Sequence, residues 1–186
     1  VRRQRQMCIR DRYNMGNVIL QVTQNCNLRC EYCVYSGSYI NRVHTNKRMS
    51  FETAVKTIDF LAAHSLNCNE VSIGFYGGEP LLEIELIKKA VSYAKEVFGE
   101  KKVNFNMTTN ATLLNMDIAD FLVQNDFNIT ISLDGPRNIH NKNRIFANSN
   151  KGTFDLIMEN IALIREKYPF CLLYTSPSPR DISGSR

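Results

Sequence analysis

Apolar and polar positions follow two alternating periods along this chain of 186 residues. The run NVILQVTQ (17–24) is β-branched and apolar and predicts a strand. From Phe51, apolar residues recur at Ala54, Val55, Ile58, Leu61 and Ala62, which is helical spacing, and Ser50 is placed to cap the first turn. VSIGFY (71–76) predicts a second strand, closed by Gly77 and Gly78. Ile84, Ile87, Ala90, Val91, Ala94 and Phe98 mark a second helix that stops at Gly99. VNFNMTTN (103–110) predicts a third strand, and Asn115 caps a short helix through Ile118, Phe121 and Leu122. NITISLDG (128–135) predicts a fourth strand. Thr153 opens a fourth helix carrying Phe154, Ile157, Ile161 and Ile164, and after Pro169 a fifth strand begins.

Strand and helix alternate four times, the pattern of an α/β chain with a parallel sheet and crossover helices. Such a sheet is expected to bury both faces. In parallel βα folds the chemistry sits at the carboxyl ends of the strands. There the sequence places CNLRCEYC (26–33), GGEP (77–80), TNAT (109–112) and SLDGP (132–136), all on one rim.

Charge changes little in this picture. The net charge is +5, but residues 1–12 hold five arginines against Asp11, and residues 171–186 hold Arg180 and Arg186 against Asp181. The stretch 13–170 is therefore neutral, which argues against a nucleic-acid partner. No apolar run is long enough to span a membrane, and no secretory pattern opens the chain. Both ends resemble translated sequencing-adaptor read-through. Residues 1–12 and 171–186 are therefore expected to be non-native or disordered, flanking a core at 13–170. Cys8 and Cys171 fall in those ends.

Cys26, Cys30 and Cys33 lie four and three residues apart, so one compact loop can turn all three thiolates to a common centre. Soft thiolates favour iron–sulfur clusters or zinc. Structural zinc needs a fourth ligand, and His44 is the only candidate nearby. Disulfides do not suit a chain without an export signal. The option left is a 4Fe–4S cluster with three protein ligands and one open iron. Cys68 reads as a half-buried thiol on the opposite rim. His64 and His140 read as surface residues, as does His44, although Arg42 and His44 follow the cluster loop.

CxxxCxxC after the first strand, GGEP after the second and SLDGP after the fourth resemble the radical S-adenosylmethionine (SAM) enzymes, over about residues 17 to 170. The resemblance implies a partial parallel (β/α) barrel with about four complete βα units, truncated before the barrel closes. It implies a 4Fe–4S cluster on Cys26, Cys30 and Cys33, with the methionine part of SAM on the open iron. Gly77, Gly78 and Glu79 would hold the SAM amino group, with the glycines allowing close approach to the ligand. Tyr32 would pack on the adenine, or else be a buried structural tyrosine. Ser132 would meet the ribose or carboxylate, and Arg144 would pair with the carboxylate. Asp134 would line the substrate side or start the turn at Gly135–Pro136. Relatives commonly carry Thr-Asn-Gly where this chain has Ala111, which suggests that the backbone there need not take positive φ. Asn110 would still face the cofactor.

Among radical SAM enzymes, the motifs are most similar to peptide maturases with an extra C-terminal cysteine-rich (SPASM) domain. The expected activity is thioether or carbon–carbon crosslinking of a ribosomal precursor peptide. Anaerobic sulfatase maturation to formylglycine is the alternative, and a non-catalytic iron–sulfur or zinc module is the alternative of another class. The expected electron donor is a reduced flavodoxin or ferredoxin, and the expected setting is an oxygen-poor cytoplasm. The truncated chain alone is expected to be inactive in an assay for 5′-deoxyadenosine.

Overall fold

The computed structural model describes residues 13–33 and 45–169 and the backbone of 173–174. The elements run β1 (Asn17–Thr23), α1 (Phe51–His64), β2 (Glu70–Gly77), a 3₁₀ helix (Pro80–Glu83), α2 (Ile84–Phe98) and β3 (Lys102–Thr109). They continue with α3 (Met116–Gln124), β4 (Asn128–Ile131), α4 (Arg137–Asn143), α5 (Phe154–Lys167) and β5 (Leu173–Tyr174). The sheet order is β1-β2-β3-β4-β5, and every pair is parallel. This is the α/β arrangement expected of a partial (β/α) barrel.

Local chemistry explains most boundaries. Ser50 accepts the Thr53 amide at the start of α1, and Asn115 accepts the Ile118 amide at the start of α3. Gly99 ends α2 at a φ of 57°, a backbone that a side chain would strain. Thr153 does not cap α5 through its side chain. Asn141 of α4 does so instead, accepting the Phe154 amide at 3.0 Å. The helix α4 had no counterpart in the sequence pattern, because RNIHNKN shows no apolar period.

Register places Leu20, Phe75, Met107 and Ile129 side by side across four strands, all buried. This face packs on Ile58 and Leu61 of α1, Ile87 and Val91 of α2, Leu122 of α3, and Ile157 and Ile161 of α5. Phe127 stacks on Phe105 and Phe75, with ring centroids 5.3 and 5.7 Å apart. The other face departs from expectation. Its neighbouring row is Ile19, Gly74, Asn106 and Asn128, and it borders an open cavity of about 490 Å³. It is polar because β3 alternates Asn104, Asn106 and Thr108 with Phe105 and Met107. Only one face of this sheet is therefore buried in the apolar core, as suits a barrel that encloses space.

Candidate active site

The loop after β1 carries the three cysteines and is anchored on several sides. The segment 47–49 returns alongside it: the Gln24 amide donates to the Lys47 carbonyl at 2.9 Å, and the Met49 amide to the Val22 carbonyl at 2.8 Å. Opposite, the Arg29 amide donates to the Ile145 carbonyl and the Ala147 amide to the Asn27 carbonyl, at 2.9 and 2.8 Å. Leu28 is buried and bridges to Phe146. The Arg29 guanidinium folds back onto the Cys26 and Leu28 carbonyls at 2.7 and 2.8 Å. No apolar period or motif in the sequence marks this outer wall at 143–147. Arg42 and His44 lie outside the described residues, as do Cys8 and Cys171.

Burial pushes the Cys26 thiol up to about 11 and the Cys30 thiol up to about 12. Both hold their protons at neutral pH, and metal binding must displace them. Among the described residues, no three His, Cys, Asp or Glu side chains are grouped tightly enough for a single metal ion. A cubane makes no such demand, since its thiolates bind separate irons.

The glycine loop packs directly against the cysteine loop. The Gly78 amide donates to the Thr23 carbonyl and the Glu79 amide to the Asn25 carbonyl, each at 2.9 Å. A Cβ on Gly77 would lie 2.3 Å from the Thr23 oxygen, and one on Gly78 would lie 2.1 Å from the Asn25 oxygen. The glycines are thus required by the approach of loop to loop. The Glu79 carboxylate is buried and engaged within the protein. It accepts from the Leu81 amide (3.1 Å), the Thr109 hydroxyl (2.6 Å) and the Asn110 amide (2.8 Å). Burial pushes its carboxyl up, while those hydrogen bonds pull it down. Glu79 therefore ties the end of β2 to the end of β3.

After β3 the chain turns sharply. Ala111 is fully buried with a φ of 58°, which overturns the expectation that alanine marks a backbone without positive φ. Surrounding bonds hold the conformation. The Ala111 amide donates to the Thr109 hydroxyl at 3.0 Å, and Asn160 of α5 donates to the Ala111 carbonyl at 3.0 Å.

After β4, Asp134 is buried and joins two loops. The Tyr32 hydroxyl donates to one of its oxygens at 2.6 Å. Arg144 donates to the other through Nε at 3.0 Å and approaches it through Nη2 at 2.9 Å. The guanidinium also lies 5.5 Å from the Tyr32 ring centre. Burial opposes the Arg144 charge, but Asp134, Cys30 and Tyr32 outweigh it and hold the guanidinium above its ordinary value. Burial and the bond to Asp134 push the Tyr32 hydroxyl well above the usual phenol range. Behind Asp134 sits His140, expected at the surface but fully buried. Its Nδ1 accepts the Asp134 amide at 3.3 Å, so its Nε2 carries the proton toward the Thr153 hydroxyl at 2.9 Å. Burial, helped by Arg144, lowers His140 to about 4 and keeps it neutral.

All ten residues singled out from the sequence border one cavity of about 290 Å³: Cys26, Cys30, Tyr32, Cys33, Gly77, Gly78, Glu79, Asn110, Ser132 and Arg144. Tyr76 and Thr108 join them, and both also border the larger cavity on the polar face of the sheet. The rim thus gathers thiols, loop backbone, amides and a guanidinium around one space.

Comparison with known proteins agrees with this geometry. The family model of the radical SAM superfamily matches residues 20–176. An uncharacterized protein of Methanocaldococcus jannaschii is 38% identical over 84% of this chain and 51% of its own length. A cysteine-type anaerobic sulfatase-maturating enzyme of Clostridium novyi is 34% identical over 81% of this chain and 40% of its own. A radical SAM cyclopropyl synthase of Paramaledivibacter caminithermalis is 26% identical over 76% of this chain and 32% of its own. The chain thus spans about a third to a half of the length of these relatives. A solved structure described as native anSMEcpe with bound AdoMet superposes with a TM-score of 0.74 at 28% identity, covering 86% of this chain and 43% of that one. The thiol loop, the glycine loop packed on it and the match over most of the chain make this protein a member of the radical SAM superfamily, whose enzymes use a 4Fe–4S cluster and S-adenosylmethionine.

Proposed function

We propose that this chain is the cluster- and SAM-binding core of an enzyme that modifies a ribosomally made peptide or protein. The observation that carries this is the convergence of three thiols, the glycine loop and Arg144 on a single cavity. The donor set fits the group. Cys26, Cys30 and Cys33 would bind three irons and leave the fourth open. Carbonyls of the loop at Gly77 and Gly78 would accept from the SAM ammonium. Asp134 engages one edge of the Arg144 guanidinium, and its remaining N–H groups would pair with the SAM carboxylate. Ser132 would meet the ribose or carboxylate, and Tyr32 would flank the adenine. Glu79 and Asn110 would act mainly by holding the loops in place. Held by Cys26, Cys30 and Cys33, such a cluster would supply the one electron needed for reductive cleavage of SAM and so for radical chemistry on the substrate.

A peptide substrate is supported by the sulfatase-maturating relatives and by a neighbouring structure described with a bound Cp18Cys peptide. Two reactions fit such a core. Crosslinking as a thioether or carbon–carbon bond gains from the cyclopropyl synthase relative, and formylglycine formation gains from the sulfatase-maturating ones. Product mass separates a crosslink from formylglycine made at cysteine, because the crosslink removes only two hydrogen atoms whereas the cysteine reaction removes two hydrogen atoms and also exchanges sulfur for oxygen; at serine the masses coincide and trapping of the aldehyde separates them. A reduced flavodoxin or ferredoxin as donor and a cytoplasmic setting belong to the same proposal. No helix among the described residues is long and apolar enough to cross a membrane.

Anaerobic reconstitution with iron and sulfide tests the assignment. In the longer enzyme of which this chain is the proposed core, the expected product is a brown protein that forms 5′-deoxyadenosine from SAM after reduction, with Cys30→Ala losing colour and cleavage together. Cleavage that survives in Cys30→Ala, or a colourless protein holding tight zinc, would overturn it.

A further inference from the structure

We infer that Asn110, Asn27 and Thr112 form a positioning device for Cys26: a closed ring of hydrogen bonds that pins the cysteine loop to the end of β3 and aims an amide N–H at the Cys26 sulfur. The inference rests on the cluster assignment above.

The ring is directional, and every proton in it is determined. The Thr112 amide can only donate, and it donates to Asn110 Oδ1 at 3.0 Å. That fixes which end of the Asn110 carboxamide is oxygen and turns its nitrogen toward the cysteine loop. Asn110 Nδ2 donates to Asn27 Oδ1 at 2.9 Å. Asn27 Nδ2 then donates to the Thr112 hydroxyl at 2.7 Å. The Thr112 hydroxyl closes the ring by donating to Asn110 Oδ1 at 2.7 Å. Rings of this kind polarise their members cooperatively, and Asn110 and Thr112 are buried.

The remaining N–H of Asn110 reaches Cys26 Sγ at 3.8 Å, beside the Leu28 amide at 3.4 Å. The backbone around the ring is also fastened. The Asn110 amide is held by Glu79 at 2.8 Å, and Asn160 of α5 donates to the Ala111 and Thr112 carbonyls at 3.0 and 3.3 Å. The positive φ of Ala111 lets Asn110 Oδ1 receive the Thr112 amide while its nitrogen faces the cysteine loop. Asn110 is thus assigned to the cysteine loop as a positioning residue, a different role from the cofactor contact implied by resemblance.

The consequence is electronic as well as steric. Hydrogen bonds to cluster sulfurs stabilise the more negative, reduced state and raise the reduction potential. The test is a redox titration of the anaerobically reconstituted protein, followed by its electron paramagnetic resonance signal, with iron content measured alongside. Asn110→Ala and Thr112→Val are expected to keep the iron content and shift the potential to more negative values, with the larger shift in Asn110→Ala. Thr112→Ser keeps the hydroxyl and is expected to titrate with the unsubstituted protein. A role confined to loop stability would lower folding stability and leave the potential unmoved. The inference is overturned if Asn110→Ala holds full iron at an unchanged potential, or if Thr112→Ser shifts as far as Thr112→Val. Should Asn110→Ala not fold, the Thr112 pair alone decides. An unsubstituted protein that forms no cluster sinks the cluster assignment itself and is told apart from the other results by its spectrum.

Discussion

Asp134 shows how much a single side chain does at this rim. It neutralises a guanidinium and holds a tyrosine from another loop, and its own side chain is only 1% exposed. Removing one partner of such a pair strands the other charge in a poor solvent, which costs about 3–5 kcal/mol. Asp134→Ala is therefore expected to lower unfolding free energy by about 3 kcal/mol in urea denaturation, while Asp134→Asn loses less because it still accepts from Tyr32. A loss under about 1 kcal/mol for Asp134→Ala would contradict the pairing. At this scale the sequence was a partial guide. The ten candidate residues do share one cavity, because their loops all follow strand ends. Two local inferences failed for a common reason, namely partners far away in the chain. Ala111 tolerates positive φ because Asn160 and Thr109 hold its backbone. His140 is buried because Thr153 and the Asp134 amide satisfy both its nitrogens. For the same reason the close packing of Gly77 and Gly78 on the backbone of Thr23 and Asn25 was not visible in the sequence.

Among the elements, those with strong periods were legible. Ser50 and Asn115 start their helices and Gly99 ends its own, as their chemistry requires. The helix α4 was not legible, because its stability comes from contacts rather than from an apolar stripe. It lends His140 and Asn141 to the start of α5, and Arg137 pairs with Asp155. This junction gives a pH dependence. His140 is lowered from 6.5 to about 4 by burial, with Arg144 adding to the effect and Asp134 opposing it. Between those values the unfolded chain binds a proton that the folded chain refuses. Stability therefore falls as pH drops from about 6.5 towards 4, and His140 adds nothing further below that. Urea midpoints across this window are expected to fall more steeply for the unsubstituted chain than for His140→Gln, which cannot titrate. Equal slopes would contradict the buried neutral histidine.

For the molecule as a whole, the alternation of strand and helix was sufficient to read a parallel sheet with its chemistry on one rim. It was insufficient to tell a sheet covered on both faces from a barrel wall. The distinction lies in the polar half of each strand, such as Ser72 beside Ile73 or Asn106 beside Met107, where the outward residues form the core and the inward ones border open space. That polar face adjoins the thiol-lined cavity at Tyr76 and Thr108, so a substrate on the sheet would lie next to the proposed radical. Everything proposed about activity depends on what the three thiols hold. The most direct measurement is the electron paramagnetic resonance spectrum of the reconstituted, reduced protein before and after addition of S-adenosylmethionine. A 4Fe–4S signal that changes shape on addition is the predicted result. No such signal, or one that the sulfonium compound leaves untouched, would contradict the account.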